Sequence, residues 1–320
     1  MKRWLIALAV LTQTGIAAAQ DFPSKPVRIV VPTSPGGVTD TTARALAQRL
    51  TEMWGQQVLV ENRAGANHVP AMEYVAKAPP DGHMLMVVAE APLVIFPHLY
   101  GKMSYDPLKD FAPVTALVGI HQALIAHPSL PANSVRELVA LGKSRPGQLN
   151  YGAFGHLSSG HVNMEMFQSM AGVKFVAVQY KGATPALTDV IGGHIPMMFI
   201  SVSSALPAYR AGQIKMLAIG SSHRLAELPD MPTVAEAGLP GFESRSWFAL
   251  YATGGTPAPI VARINDATRR IFDDPAFRQR FLTPYLFESM ITPPEQFAAF
   301  LRSETERFGK IIRDANLKLE

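Results

Sequence analysis

The sequence predicts an α/β protein with two domains around a cleft, on three observations. Its 320 residues exceed the roughly 100–200 residues of one typical domain. Short apolar runs alternate with segments of helical spacing, which predicts parallel strands joined by helices. The pattern restarts after Pro113 with no low-complexity linker. We therefore expect the chain to cross between the two domains more than once and to leave a cleft, a common small-molecule site.

The first unit begins with a buried strand at Val27–Val31 and a turn at 32–37. A helix follows, because apolar residues recur at positions 43, 46, 47 and 50. A second strand is predicted at 58–60, a helix at 73–78 that the Pro-Pro-Asp-Gly sequence at 79–82 ends, and a third strand at 84–88.

The second unit contains further apolar runs between helical segments. Its strands are predicted at 124–126, 175–178, 197–200 and 216–219, with helices at 135–142 and 162–170. Another strand is predicted at 247–251, and helices begin at or near Pro259 and Pro294. We place the first domain at 20–122 plus 247–320, and the second at 123–246.

Residues 1–19 have the pattern of a cleaved secretory signal. Lys2 and Arg3 precede an apolar run, and Ala17-Ala18-Ala19 gives a cleavage pattern. Thr12-Gln13-Thr14 interrupts the run well before the roughly 20 residues that a membrane span needs. We expect a mature protein that starts at Gln20 and is exported to a bacterial periplasm.

Composition excludes several classes of function. The chain has no cysteine, so thiolate metal sites and catalytic cysteines are absent. Without Lys2 and Arg3, 27 basic residues face 25 acidic ones, and no basic run or interleaved aromatic patch indicates nucleic-acid binding. No G-x-G-x-x-G motif is present, and an exported protein cannot count on nucleotide cofactors. We expect no cofactor, no metal and no nucleic-acid partner.

Four polar segments follow predicted strands, at 35–40, 155–161, 180–182 and 200–204. In open α/β sheets ligands bind outside the carboxyl ends of strands, and backbone N–H groups at helix starts favour anions. Each segment also has a purely structural explanation. Thr39 or Asp40 can cap a helix, and Lys181 can simply be solvated. Glu90 closes the third strand and also faces the expected cleft.

One of these segments allows an enzymatic alternative. Ser158 or Ser159 could act as a nucleophile with His161 as its base, in a secreted hydrolase. No G-x-S-x-G elbow is present. His156 and His161 are five residues apart and lack a third metal ligand.

The sequence resembles the extracytoplasmic receptors of tripartite tricarboxylate transporters, the Bug family of periplasmic solute-binding proteins. The resemblance covers about residues 22–316. It rests on seven ordered motifs: Pro23-Ser24-Lys25-Pro26-Val27-Arg28-Ile29-Val30-Val31-Pro32, Pro35-Gly36-Gly37 with Asp40, Val60-Glu61-Asn62-Arg63, Ala78-Pro79-Pro80-Asp81-Gly82, the 105–114 segment, Tyr180-Lys181-Gly182 and the 228–238 segment.

The resemblance implies a type II, Venus-flytrap periplasmic binding fold with an inter-domain ligand cleft. It implies a non-catalytic, monomeric receptor that delivers a small organic carboxylate to membrane permease subunits, or presents its closed state to a membrane kinase. Together with the strand-end segments it gives these candidate ligand-binding residues: Ser34, Pro35, Gly36, Gly37, Thr39, Glu90, Ala91, Phe154, Ser158, Ser159, His161, Tyr180, Lys181, Gly182 and Ser201.

The chain departs from the family pattern at several candidate positions. Residues 64–70 replace a glycine-rich stretch, and Ile200 stands where many members have Asp. Phe154 and Leu157 replace smaller or more polar residues. These changes argue against a highly charged, citrate-like ligand. We expect a mono-, di- or aromatic carboxylate, with Phe154 or Tyr180 available to pack against a ring.

Overall fold

A computed structural model describes residues 22–65, 68–154 and 158–314. Within these ranges the chain alternates strands and helices, as predicted. The strands are β1 (Val27–Val31), β2 (Val58–Asn62), β3 (Met84–Ala89), β4 (Phe111–Ala126), β5 (Asn150–Ala153), β6 (Val176–Gln179), β7 (Met197–Ser201), β8 (Lys215–Ile219), β9 (Arg245–Thr253) and β10 (Phe287–Ser289). The helices are α1 (Val38–Trp54), α2 (Val69–Ala76), α3 (Val135–Ser144), α4 (Ser159–Ala171), α5 (Ala183–Ile191), α6 (Val202–Arg210), α7 (Ala258–Asp273), α8 (Pro275–Phe277) and α9 (Pro294–Asp314).

The strands form one sheet in the order β2-β1-β3-β9-β4-β7-β5-β6, with β8 and β10 also paired to β4. The neighbours β1–β2, β1–β3, β5–β6 and β5–β7 are parallel. Strands β9 and β4 run antiparallel to their neighbours. The sheet is therefore mixed. The expectation of parallel strands was wrong for β4 and β9. Alternation of helices and strands does not show which strands run antiparallel to their neighbours.

Strand β4 joins two halves of the sheet. The first half contains β2, β1, β3 and β9, and the second half contains β7, β5 and β6. The 16 residues of β4 pair with β9 through His121 and with β7 from Gln122 onward. Pro113 lies inside this strand, at a shift of register against β9. A proline lacks the N–H that a regular ladder needs, so it is tolerated at such an irregularity. The restart of the sequence pattern after Pro113 therefore does not mark a break in the structure, because one continuous strand covers it.

Apolar side chains on the two faces of each half form the core. In the first half, α1 contributes Leu46 and Leu50 to one face, and α9 contributes Phe297 to the other. The second half has a corresponding pair of buried groups, one with α4 and one with α5 and α6. Val162, at the start of α4, packs in the first half's core. The beginning of α4 therefore lies against the first half.

The local sequence explains where several helices begin and end. Ser134 accepts a hydrogen bond from the backbone N–H of Glu137 and so caps α3. Gly55 ends α1 with a φ of 65°, a left-handed conformation that glycine adopts without steric penalty. Pro294 opens α9, as predicted. Thr233 and Glu236 form a capping box, in which each side chain accepts a hydrogen bond from the other residue's backbone N–H.

The predicted signal segment, 1–19, lies outside the described residues. In the part of the chain that the structure covers, no helix is long and apolar enough to cross a membrane.

Candidate functional site

The carboxyl ends of the strands in the two halves point toward each other. Ala89 ends β3 and pairs with Phe248, which pairs with Val118 of β4. Ser201 ends β7 and pairs with Gln122 of β4. Strand β3 runs parallel to β4 and β7 runs against it, so both strands end toward the same short part of β4. At about 3.3 Å per residue, positions 118 and 122 are about 13 Å apart. We call β4 residues 118–122 the waist.

Every candidate residue that the structure describes follows one of five strand ends facing the waist. The loop at 34–37 follows β1, and Glu90 follows β3. In the second half, candidates follow β5, β6 and β7, which are parallel to one another. The fold therefore places the candidates of both halves at facing sheet edges. Their exposures differ: Thr39, Glu90 and His161 are buried, Ser34–Gly37 and Lys181 are exposed, and the other described candidates are half-buried.

Glu90 is held inside the protein at the start of β9. The Ser246 hydroxyl lies 2.8 and 2.9 Å from the two carboxyl oxygens, and the Trp247 backbone N–H donates at 3.2 Å. Burial raises the pKa of Glu90 to about 7, against the opposing effect of these hydrogen bonds. The side chain is 2% exposed. Glu90 therefore ties the segment after β3 to the strand that crosses back from the second half.

Asp40 organises the exposed loop at 34–37. Its carboxylate accepts hydrogen bonds from the Gly36 N–H at 2.9 Å and from the Asn62 amide at 2.8 Å. Arg44 Nε donates to it at 2.9 Å. Burial opposes the charged form, but these donors and the Arg44 charge hold the pKa of Asp40 below its ordinary value. Gly37, rather than Thr39 or Asp40, is the N-cap of α1.

Ser158 acts as a helix cap at the start of α4. Its Oγ accepts a hydrogen bond from the backbone N–H of His161 at 3.4 Å. The His161 ring lies 3.8 Å from the Glu165 carboxylate. Of the residues that the hydrolase alternative names, Ser158 is thus engaged in helix capping and His161 in a side-chain pair along α4. Residues 155–157 of this segment, which include His156 and Leu157, lie outside the described ranges.

The remaining second-half candidates lie beside α5 and α6. Tyr180 donates its hydroxyl proton to Asp189 at 2.7 Å, which fixes the ring next to the Lys181–Gly182 turn. Ser201 caps α6 through a hydrogen bond from the Ser204 N–H. Both residues are half-buried, so part of each stays accessible to solvent.

Three residues at this edge were not among the candidates. Asn62 and Ser246 anchor Asp40 and Glu90 through contacts 22 and 156 residues apart. His68 forms a hydrogen bond to the carbonyl oxygen of Pro32. No local pattern identifies such long-range partners. The departure from a glycine-rich stretch at 64–70 was the one sequence signal that pointed to His68.

A cavity of about 390 Å³ lies beside the waist, between the two halves. Its lining includes His121 of β4, whose ring is 6.1 Å from that of His223. None of the candidate residues lines this cavity. Across residues 22–65, 68–154 and 158–314, no group of three or more His, Asp or Glu side chains is placed to hold a metal ion.

Comparison with known proteins places this architecture in a family. Residues 42–317 match the model of the tripartite tricarboxylate transporter family receptor. The protein BugT of Bordetella pertussis is 34% identical over 329 residues, covering 100% of this chain and 99% of BugT.

Solved structures agree with the fold. An R. palustris protein solved with adipate has a TM-score of 0.84 at 34% identity, covering 93% of this chain and 99% of its own. MatC from Rhodopseudomonas palustris, with bound malate, has a TM-score of 0.78 at 34% identity, covering 91% and 100%. The periplasmic binding protein BugD has a TM-score of 0.80 at 28% identity, covering 93% and 100%. The resemblance inferred from the motifs is confirmed, and the chain belongs to the tripartite tricarboxylate transporter receptor family, which includes the Bug solute-binding proteins.

Proposed function

We propose that this protein is a periplasmic receptor that closes on a small organic carboxylate at the waist and delivers it to the permease subunits of a tripartite tricarboxylate-type transporter. The observation that carries the proposal is the arrangement of five strand ends, from both halves, around β4 residues 118–122. Such edges present free backbone N–H groups and hydroxyls, which suit a carboxylate. Two relatives, at 34% identity each, were solved with adipate and with malate.

In this proposal residues 20–122 and 247–320 form one domain and 123–246 form the other. Apart from Val162, the buried core residues of the two halves fall in separate groups on both faces of the sheet, which supports treating the halves as units. The connection through β4 and the start of β9 would then bend during closure. The ligand contacts would come from the exposed or half-buried candidates, among them the 34–37 loop and Ser158. Glu90 and Thr39 would support these contacts from the interior.

Ligand binding is tested first on protein purified without denaturation, by mass spectrometry of any retained acid. Protein stripped by unfolding and refolding is then titrated calorimetrically with mono-, di- and aromatic carboxylates. A ligand at 100 times its Kd is expected to raise the melting temperature by roughly 5–10 °C. If no carboxylate in a broad panel binds, the proposed function is wrong.

A pair of serine variants separates a receptor from a hydrolase. Ser158→Ala is expected to weaken binding by about 0.5–1.5 kcal/mol if its hydroxyl makes one neutral hydrogen bond to the ligand. Ser303→Ala, on the exposed surface of α9, is the matched control and should bind as wild type. Ester turnover that Ser158→Ala or Ser159→Ala abolishes would favour the hydrolase instead.

Delivery is tested by uptake of the identified ligand into vesicles that carry the permease subunits. Uptake that depends on the added receptor supports transport. Tight binding without uptake, combined with activation of a membrane kinase, would assign a sensory role instead.

A further inference from the structure

His68 lies between the two first-half segments that carry candidate residues. Its Nδ1 is 2.8 Å from the carbonyl oxygen of Pro32, which opens the 34–37 loop. Its ring stacks on Phe96, with centroids 6.4 Å apart and planes 16° apart. Phe96 lies within the helical segment that follows Glu90, where the turn Ala91–Ile95 continues into Phe96–His98. The imidazole therefore sits at the sheet edge that faces the waist, with its position set by contacts to both segments.

The backbone of His68 is in the left-handed region, with φ 70° and ψ −6°. Among the described non-glycine residues only His68 and Leu286 have positive φ. Glycine would adopt this conformation without strain, and a β-carbon makes it unfavourable. Strain of this kind persists where the surrounding structure enforces it, and it concentrates at functional sites. The backbone conformation at position 68 favours glycine, yet the residue there is histidine.

The hydrogen bond to Pro32 determines which ring nitrogen carries the proton. A carbonyl oxygen can only accept, so Nδ1 must donate and Nε2 keeps its lone pair in the neutral ring. Burial lowers the pKa of His68, and the hydrogen bond to Pro32 offsets this only in part. At neutral pH the ring is uncharged. In the described part of the chain, no side chain or backbone group donates a hydrogen bond to Nε2.

We propose that His68 Nε2 accepts a hydrogen bond from a hydroxyl or amide group of the bound carboxylate, so that this receptor selects acids that carry such a donor. The proposal rests on the function proposed above and specifies its ligand class. A lone pair attracts an O–H or N–H donor and repels a carboxylate oxygen, so this contact distinguishes a hydroxy acid from the same acid without its hydroxyl. The contacts to the carboxylate itself come from the exposed and half-buried candidates named above, among them the 34–37 loop and Ser158.

The test compares pairs of acids that differ only by one hydroxyl: malate and succinate, lactate and propionate, mandelate and phenylacetate. Affinities are measured calorimetrically on stripped wild-type protein and on His68→Gly. For a pair that binds, wild type is expected to prefer the hydroxylated acid by about 2- to 10-fold. His68→Gly is expected to reduce this ratio to about 1 in a protein that still unfolds cooperatively, because relief of the left-handed strain opposes the loss of the Pro32 hydrogen bond and the Phe96 stacking.

Leu286→Gly is the matched control, since it relieves the other described left-handed residue, away from the Pro32 loop. It should keep the wild-type ratio even if it changes both affinities together. Wild type that binds both acids of a pair equally, or a preference that survives in His68→Gly, overturns the role of His68 and leaves the receptor function intact. Failure of every acid to bind overturns both proposals.

A second measurement separates the proposed contact from a charged one. Titrations at pH 7.5 in phosphate and in Tris, whose ionisation enthalpies differ, report protons taken up on binding. We expect none that depends on His68. Proton uptake that disappears in His68→Gly would mean that the imidazole becomes charged and meets a carboxylate, which contradicts the proposal.

Discussion

The buried carboxyl of Glu90 should make folding stability fall as pH rises through the neutral range. Its pKa in the folded protein is about 7, against an ordinary value of 4.5. The native state therefore holds a proton that the unfolded chain has already released between these values. The stabilisation is complete below about pH 4.5 and is lost as pH rises through about 7. The separation of the two pKa values corresponds to roughly 3 kcal/mol of unfolding free energy.

Glu90→Gln removes the titration and keeps the shape of the side chain. Urea unfolding of wild type and variant, followed by tryptophan fluorescence from pH 4.5 to 8, gives the difference in unfolding free energy at each pH. Because other groups titrate in both proteins, this difference isolates Glu90. It should change by roughly 3 kcal/mol across the range, with the variant gaining relative stability at high pH.

Glu306→Gln, an exposed carboxylate of α9, controls for the change in net charge and should give a nearly constant difference. A Glu90→Gln difference that stays within about 0.5 kcal/mol from pH 4.5 to 8 would refute the reasoning.

Three further changes test the packing around the site. Gly160→Ala places a β-carbon 2.3 Å from the Phe154 ring, so despite its better helix propensity it should lower stability by about 1–3 kcal/mol; an increase in denaturation midpoint would contradict this. Asp40→Ala leaves the Gly36 N–H and the Asn62 amide without their buried acceptor and should cost about 1–3 kcal/mol while weakening carboxylate binding; unchanged affinity would separate Asp40 from the site. In Gly37→Val the nearest atom to the new β-carbon is the Ser34 carbonyl oxygen at 3.8 Å, so the variant should fold normally. Calorimetry should find weaker ligand binding. Wild-type affinity would show that this loop does not bind the ligand.

Local elements of this fold follow from the sequence because their causes are local. The apolar spacing from residue 43 to 50 predicts α1, and the prolines at 259 and 294 lie at or near the starts of α7 and α9. Strand order does not follow in this way. The antiparallel pairing of β9 with β3 and β4 joins residues more than 120 positions apart. No local pattern encodes it, so the sheet was expected to be parallel.

The candidate site likewise combines features that have local causes with features that depend on long-range contacts. Polar residues after β1, β3, β6 and β7 could be predicted because the strands before them were predicted, whereas β5, which precedes Ser158 and His161, was not. The partner of each polar residue could not be predicted, because Ser246 reaches Glu90 only after the chain has passed through the whole second half. The conformation of His68 could not be predicted from the sequence either, because a positive φ is uncommon for a non-glycine residue.

The end of the β4–β9 pairing shows where the second half could be cut out of the chain. His121, the last β4 residue paired with β9, lies directly opposite Arg245, the first residue of β9. Seen from the first half alone, the intervening 123 residues occupy the place of a hairpin turn. A short Asn-Gly connection from position 121 to 245 would keep every β4–β9 pair. The same geometry marks this point as a natural graft junction, where the second half of one family member can be exchanged for that of another.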